Sequence, residues 1–201
     1  MKRILSSFII LAACAAAATA PSLTPAEREK ALGYLESTKE GVLKATSGLS
    51  QAQWTFKPGP DRWSVAEVTE HIAAAEDTLR GMIEDQVLKA PARPEGEDVQ
   101  ALDAMVLRAI TDRSKKAKAP ETLKPTNRFG SPESSLKHFT ESREKTVSLL
   151  KSGQDLREHA TDSPLGRKLD AYEWILFIGA HSERHTKQIE EVKADPNFPK
   201  T

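Results

Sequence analysis

Apolar side chains recur three and four positions apart in four stretches of the chain, separated by polar residues rich in Lys, Glu and Arg. That spacing follows the 3.6-residue turn of an α-helix, so each stretch predicts an amphipathic helix. In the first, Leu32, Leu35, Val42, Thr46 and Leu49 share a face. Thr24-Pro25-Ala26-Glu27 opens it as a capping box with Pro at the first helical position, predicting a helix over residues 25–47. Ser64-Val65-Ala66-Glu67 is a second capping box, with Trp63 placed to staple onto Val68. The helix it starts turns Val68, Ile72, Ala75, Leu79, Met82 and Ile83 inward. Ser131 caps and Pro132 opens a third helix, which carries Leu136, Phe139, Val147 and Leu150 inward and ends at Gly153. Asp170-Ala171-Tyr172-Glu173 opens the fourth, which runs through Trp174, Ile175, Phe177 and Ile178 to Lys193.

The connections differ in length. WTFKPGPDRWS is rich in Pro and Gly and predicts turns. Residues 89–130 hold one shorter helical pattern, 99–115, followed by Pro120 and Pro125, and predict a long crossover between the second and third principal helices. No strand pattern is evident. The expected fold is therefore all-α, a four-helix bundle with a long crossover connection, and bundles hold cofactors between facing helices.

Residues 1–20, MKRILSSFIILAACAAAATA, differ in kind from the rest. Lys2 and Arg3 precede an apolar run from Ile4 to Ala13 and then small residues, the pattern of a secretory signal peptide and too short for a membrane span. An exported protein with its bundle domain in residues 21–201 is expected. Two cleavage readings compete. Leu11-Ala12-Ala13-Cys14 resembles a bacterial lipoprotein box, which would give a membrane-anchored lipoprotein touching the membrane only through a lipid on Cys14. Ala18-Thr19-Ala20 resembles an ordinary A-x-A site, which would release a periplasmic protein. Cys14 is the only cysteine, so the domain has no disulfide and no thiolate for catalysis or zinc. With 29 basic and 29 acidic residues, no overall field draws the chain to nucleic acid. Removing Lys2 and Arg3 shifts the net charge to −2.

Candidate chemistry enters with EWILFIGAHSERHTKQIEEV, where His181 and His185 are four residues apart. On a helix they differ by about 40° in direction and about 6 Å in height, so both rings can point at one spot. Alone, such a pair on a surface helix is more often chance. His71, at the edge of the second helix's apolar face, stands where a ligand between helices must stand.

RWSVAEVTEHIAAAE and YEWILFIGAHSERHTKQIEEVK together resemble the two signature segments of the DinB-like, or DNA-damage-inducible, superfamily. The family pattern is a Trp-Ser helix start leading to a His, and an H-x-x-x-H followed by Gln-Ile in the last helix. It falls on Trp63, Ser64, His71, His181, His185, Gln188 and Ile189, and the similarity extends over about residues 24–199. The resemblance implies a bundle with one long crossover and a divalent metal on His71, His181 and His185. Three imidazoles suit Zn²⁺, Ni²⁺, Co²⁺ or Fe²⁺ better than Mg²⁺ or Ca²⁺, and Zn is expected ahead of Ni. Three ligands leave coordination open, as in a catalytic site, and with no carboxylate among them the ion keeps its +2 charge and should draw anionic ligands.

The expected function is metal-dependent hydrolysis of a small-molecule substrate by activated water, with no general base identified. A metal-dependent thiol transferase is the second enzymatic reading, weakened by export to a compartment where thiols are mostly oxidised. A non-catalytic metal or ligand binding module is the third. A deep pocket beside the open metal face would favour chemistry and a flush site binding. Glu183 does not occupy the glutamate position of H-E-x-x-H. Glu67 reads as a cap and Glu70 as a surface charge. Arg184 and Gln188 read as solvated helix residues, or as supports for His185. His138 and His159 read as surface or loop residues, with His159 the nearer to a cavity mouth. Exposed apolar stripes would allow a homodimer.

Overall fold

The computed structural model describes residues 22–115 and 117–200. The expected signal peptide, its lipoprotein box and Cys14 lie outside the described residues. Four long helices form the bundle: α1 (Pro25–Thr46), α3 (Val65–Asp85), α5 (Pro132–Lys151) and α6 (Ala171–Lys193). Two shorter helices, α2 (Gln51–Thr55) and α4 (Val99–Thr111), lie in the connections. Each long helix starts where the sequence places its cap. Thr24, Ser64 and Asp170 close full capping boxes with Glu27, Glu67 and Glu173, while Ser131 accepts from the Ser134 N–H. These caps satisfy N–H groups that the helices themselves leave unpaired.

Three features depart from the expected pattern. The crossover helix α4 ends at Thr111 rather than at residue 115. The stretch read as turns begins inside α2, which holds Trp54 and Thr55 and which Ser50 and Gln53 cap reciprocally. A small antiparallel hairpin, β1 (Ala160–Asp162) and β2 (Lys168–Asp170), leads directly into α6. At three residues per strand it is too short to produce a readable alternation.

α6 is the central helix. Residues 171–180 are all buried, because α1, α3 and α4 pack around it. A helix covered on all sides needs an apolar run rather than a stripe, and YEWILFIGA supplies one. The crossover is thus not a loose connection: α4 covers an outer face of α6. α1 approaches α6 closely at Gly179, where an added Cβ would meet the Tyr34 ring carbons at 2.9 Å.

The interior is not wholly apolar. Arg143 of α5, 1% exposed, donates from Nε and Nη2 to the Glu76 carboxylate at 2.7 and 2.8 Å, and also reaches the Leu35 carbonyl, Thr38 and Ser182. This single fork ties all four long helices together. Near the start of α6, Arg93 and Arg157 bridge Asp103, Asp170 and Glu173. Among the described residues, no helix is long and apolar enough to cross a membrane.

Candidate metal centre

His71 comes from α3, and His181 and His185 from successive turns of α6. The helix–helix packing brings His71 Nε2 to 3.2 Å from His181 Nε2, and His185 Nε2 lies 3.1 Å from the same atom. Each residue offers one ligand atom, and all three atoms lie within 4.8 Å of one another. His71 and His185 are 3% and 8% exposed, while His181 retains partial solvent access. Trp63 packs against His71, with ring centroids 4.9 Å apart, which gives the Trp-Ser helix start a second task beside capping.

Hydrogen bonds at the far nitrogens decide the tautomers. His71 Nδ1 lies 2.9 Å from the Leu123 carbonyl oxygen, which can only accept, so the proton is on Nδ1 and the lone pair on Nε2. His185 Nδ1 lies 2.8 Å from Gln188 Oε1, and Arg113 Nη1 donates to that same oxygen at 3.4 Å, so here too Nδ1 carries the proton. Both imidazoles therefore turn acceptor nitrogens on the shared point. His181 can offer an Nε2–H to one of them and leaves the other facing a nitrogen with no proton between. A cation at the shared point satisfies all three. Tetrahedral zinc with Zn–N near 2.1 Å would separate its nitrogens by about 3.4 Å, close to the spacing found.

Electrostatics keep the rings neutral. Burial lowers His71 below the ordinary imidazole range, and the nearby Arg128 charge adds to the effect. Burial pushes His181 well down, with His185, His71 and Arg184 contributing. Burial and His71 push His185 down to about 3. Neutral imidazoles are the ligating form, so little proton competition opposes a metal at neutral pH.

The residues around the triad include one clear correction. Glu70 is not a surface charge: it is 5% exposed, and it accepts the N–H groups of Thr126, Asn127 and Arg128 at 2.7, 2.9 and 3.1 Å. Burial opposes its ionisation, yet these donors and the Arg128 guanidinium hold its carboxyl below the usual range. Gln188 supports His185, and Arg184 donates to the Ile110, Asp112 and Lys115 carbonyls where α4 ends. Glu67 caps α3, as its place in the box requires. Glu183 accepts from Tyr34 OH at 2.8 Å and from Lys187. His138 and Ser142 both hydrogen-bond to Asp77, a hub that lacks the serine-to-histidine contact of a nucleophile triad. His159 pairs with Ala92 beside the hairpin near the start of α6, away from the triad.

Fold and site together define a class: an α-helical bundle with three imidazoles converging between two helices beneath a long crossover. The chain belongs to the DinB superfamily, which it matches over residues 18–189. It is 29% identical over 147 residues to the uncharacterized protein YuaE of Bacillus subtilis (strain 168), a stretch covering 73% of this chain and 86% of that protein. Its fold is similar to that of YfiT from Bacillus subtilis, with a TM-score of 0.56 at 16% identity, covering 89% of this chain and 92% of the other. YfiT is described as a probable metal-dependent hydrolase with an unusual four-helix bundle topology.

Proposed function

We propose that the protein is an exported metal-dependent hydrolase of a small substrate, with His71, His181 and His185 holding one divalent ion, zinc ahead of nickel. The observation that carries the metal is the pair of acceptor nitrogens, His71 Nε2 and His185 Nε2, locked on either side of His181 by hydrogen bonds at their far nitrogens. A divalent ion there supplies Lewis acidity to water or to a substrate carbonyl or phosphoryl oxygen. The protein's own part is to fix the tautomers through Leu123 and Gln188, to exclude water from His71 and His185 by burial, and to leave access on the His181 side. Hydrolysis rather than thiol transfer is supported by the signal-like residues 1–20, since an exported enzyme meets few reduced thiols.

One observation favours a second reading, a non-catalytic metal-binding module. His71 and His185 are 3% and 8% exposed, so only the His181 side of the shared point is open to a substrate.

Elemental analysis of protein lacking residues 1–20, beside a variant with all three histidines changed to Ala, tests the metal. About one equivalent of zinc or nickel, lost in the variant, is expected. The loaded protein is then screened on ester, amide and phosphoester substrates. Turnover of a thiol adduct with none of these would sink hydrolysis, and metal uptake with no turnover at all would favour the binding module.

A further inference from the structure

Glu70 and His71 are neighbours on α3, and their hydrogen bonds meet again on the crossover. Glu70 accepts three consecutive backbone N–H groups, from Thr126 to Arg128, and also the Arg128 Nε–H at 3.2 Å. The same guanidinium donates Nη1 to the Thr122 carbonyl at 3.0 Å and Nη2 to the Lys124 carbonyl at 2.7 Å. Those two carbonyls flank Leu123, whose own carbonyl accepts the His71 Nδ1–H. The circuit is closed: Glu70, Arg128, the turn Glu121–Leu123, His71, and back along one peptide bond to Glu70.

Resting on the metal reading above, we propose that Glu70 is a positioning residue for the metal centre. Through Arg128 it places the Leu123 carbonyl that fixes His71 as an Nε2 ligand, so docking of residues 121–128 and metal affinity form one coupled equilibrium. A carboxylate is the group this position needs, because four converging donors ask for an acceptor-only side chain with several lone pairs. Arginine is the group its partner needs, because only a planar fork reaches Glu70 and two carbonyls together. Linkage then runs both ways. Metal on His71 favours the ring orientation that Leu123 accepts, and so holds residues 121–128 down; a loosened crossover lets the ring turn and weakens the metal.

Zinc affinity is the quantity to measure, by competition with a chromophoric chelator, on wild type, Glu70→Gln, Arg128→Lys and the capping variant Thr24→Ala as a destabilised control. Hydrogen exchange at Thr126–Arg128 with and without zinc, and the absorption spectrum of the cobalt-loaded forms, accompany it. The two circuit variants should bind zinc about 10- to 100-fold more weakly, with altered cobalt spectra, while Thr24→Ala binds as wild type does. Zinc should slow exchange at Thr126–Arg128 in wild type and lose that effect in His71→Ala. Arg128→Lys, changed at a partly exposed side chain, keeps the test open should Glu70→Gln fail to fold. Tight zinc binding by wild type with equal binding by both circuit variants overturns this inference alone, as does exchange indifferent to zinc. A wild type that takes up no zinc or cobalt overturns the metal reading and this inference with it.

Discussion

His71 Nε2 and His181 Nε2 lie 3.2 Å apart although 110 positions separate the two residues in sequence. Two imidazole nitrogens that close, with a third at 3.1 Å, are costly to hold together when no ion is shared among them. Zinc should therefore raise thermal stability well beyond any effect of ionic strength. At a hundredfold excess over its dissociation constant the expected gain is about 2.7 kcal/mol. Melting in EDTA and in zinc measures it, and His71→Ala and His185→Ala should show no zinc-dependent shift.

Gln188 bears on the same centre from the other side. Its Oε1 accepts from both His185 and Arg113, so Gln188→Leu frees the ring to rotate and to change tautomer. Zinc affinity should fall about 10- to 100-fold. Gln188→Glu keeps the acceptor and should keep the affinity. Chelator competition separates the two, and equal loss in both would assign Gln188 a packing role.

Much of this was legible in the sequence, for local reasons. Ser64, Asp170 and Pro132 fix where helices start, and the apolar spacing fixes which faces turn inward, so the bundle follows from short-range chemistry, while the joining of His71 to the α6 pair rested on the resemblance to the DinB-like superfamily. Glu70 was misread because its burial comes from residues 126–128, more than fifty positions away, and nothing on α3 announces them. Arg143 stands between Ser142 and Glu144 in a stretch of polar residues, and its partner Glu76 is 67 positions distant. Long-range polar pairs leave no period in the sequence. The hairpin and α2 escaped for a different reason, each being too short to complete two cycles of its pattern.

The Arg143–Glu76 pair gives a stability test. Both side chains are 1% exposed, so Arg143→Ala leaves a buried carboxylate without its counter-charge and should cost about 3–5 kcal/mol. Replacing both by apolar residues of similar volume, Arg143→Met with Glu76→Leu, should recover much of that loss. Urea unfolding reads each value. A single-variant loss below about 1 kcal/mol would mean that water reaches Glu76 and solvates it.

Gly179 should reverse the usual ranking of helix formers. In a helix interior Gly→Ala ordinarily stabilises by about 1 kcal/mol. Here the new methyl group meets the Tyr34 ring at 2.9 Å, and that ring is held by its hydroxyl on Glu183. Gly179→Ala should therefore destabilise by about 1–3 kcal/mol. In a Tyr34→Ala background the penalty should vanish, and a double-mutant cycle that shows no coupling would remove Tyr34 as the cause.

The triad and the start of α6 should respond to pH with opposite sign. Burial, followed by the effect of His71, depresses His185 from 6.5 to about 3. The folded protein then binds fewer protons than the unfolded chain, so this contribution to stability is full above about pH 6.5 and is lost as pH falls toward 3. Near the start of α6, burial raises Asp170 from 3.8 to about 6, and burial with repulsion from Asp170 raises Glu173 from 4.5 to about 7. There the folded protein binds more protons, so the contribution is full below about pH 4 and is lost as pH rises through 6 and 7. Urea unfolding in EDTA at about pH 5 and about pH 8 should therefore separate two variants. Relative to wild type, His185→Leu gains on acidification, because wild type alone loses the imidazole's contribution. Glu173→Gln gains as the solution becomes basic, because wild type alone must ionise a buried carboxyl beside Asp170. The two differences should change in opposite directions between those pH values, and differences that run in parallel would mean that one of the two sites is hydrated in the folded protein.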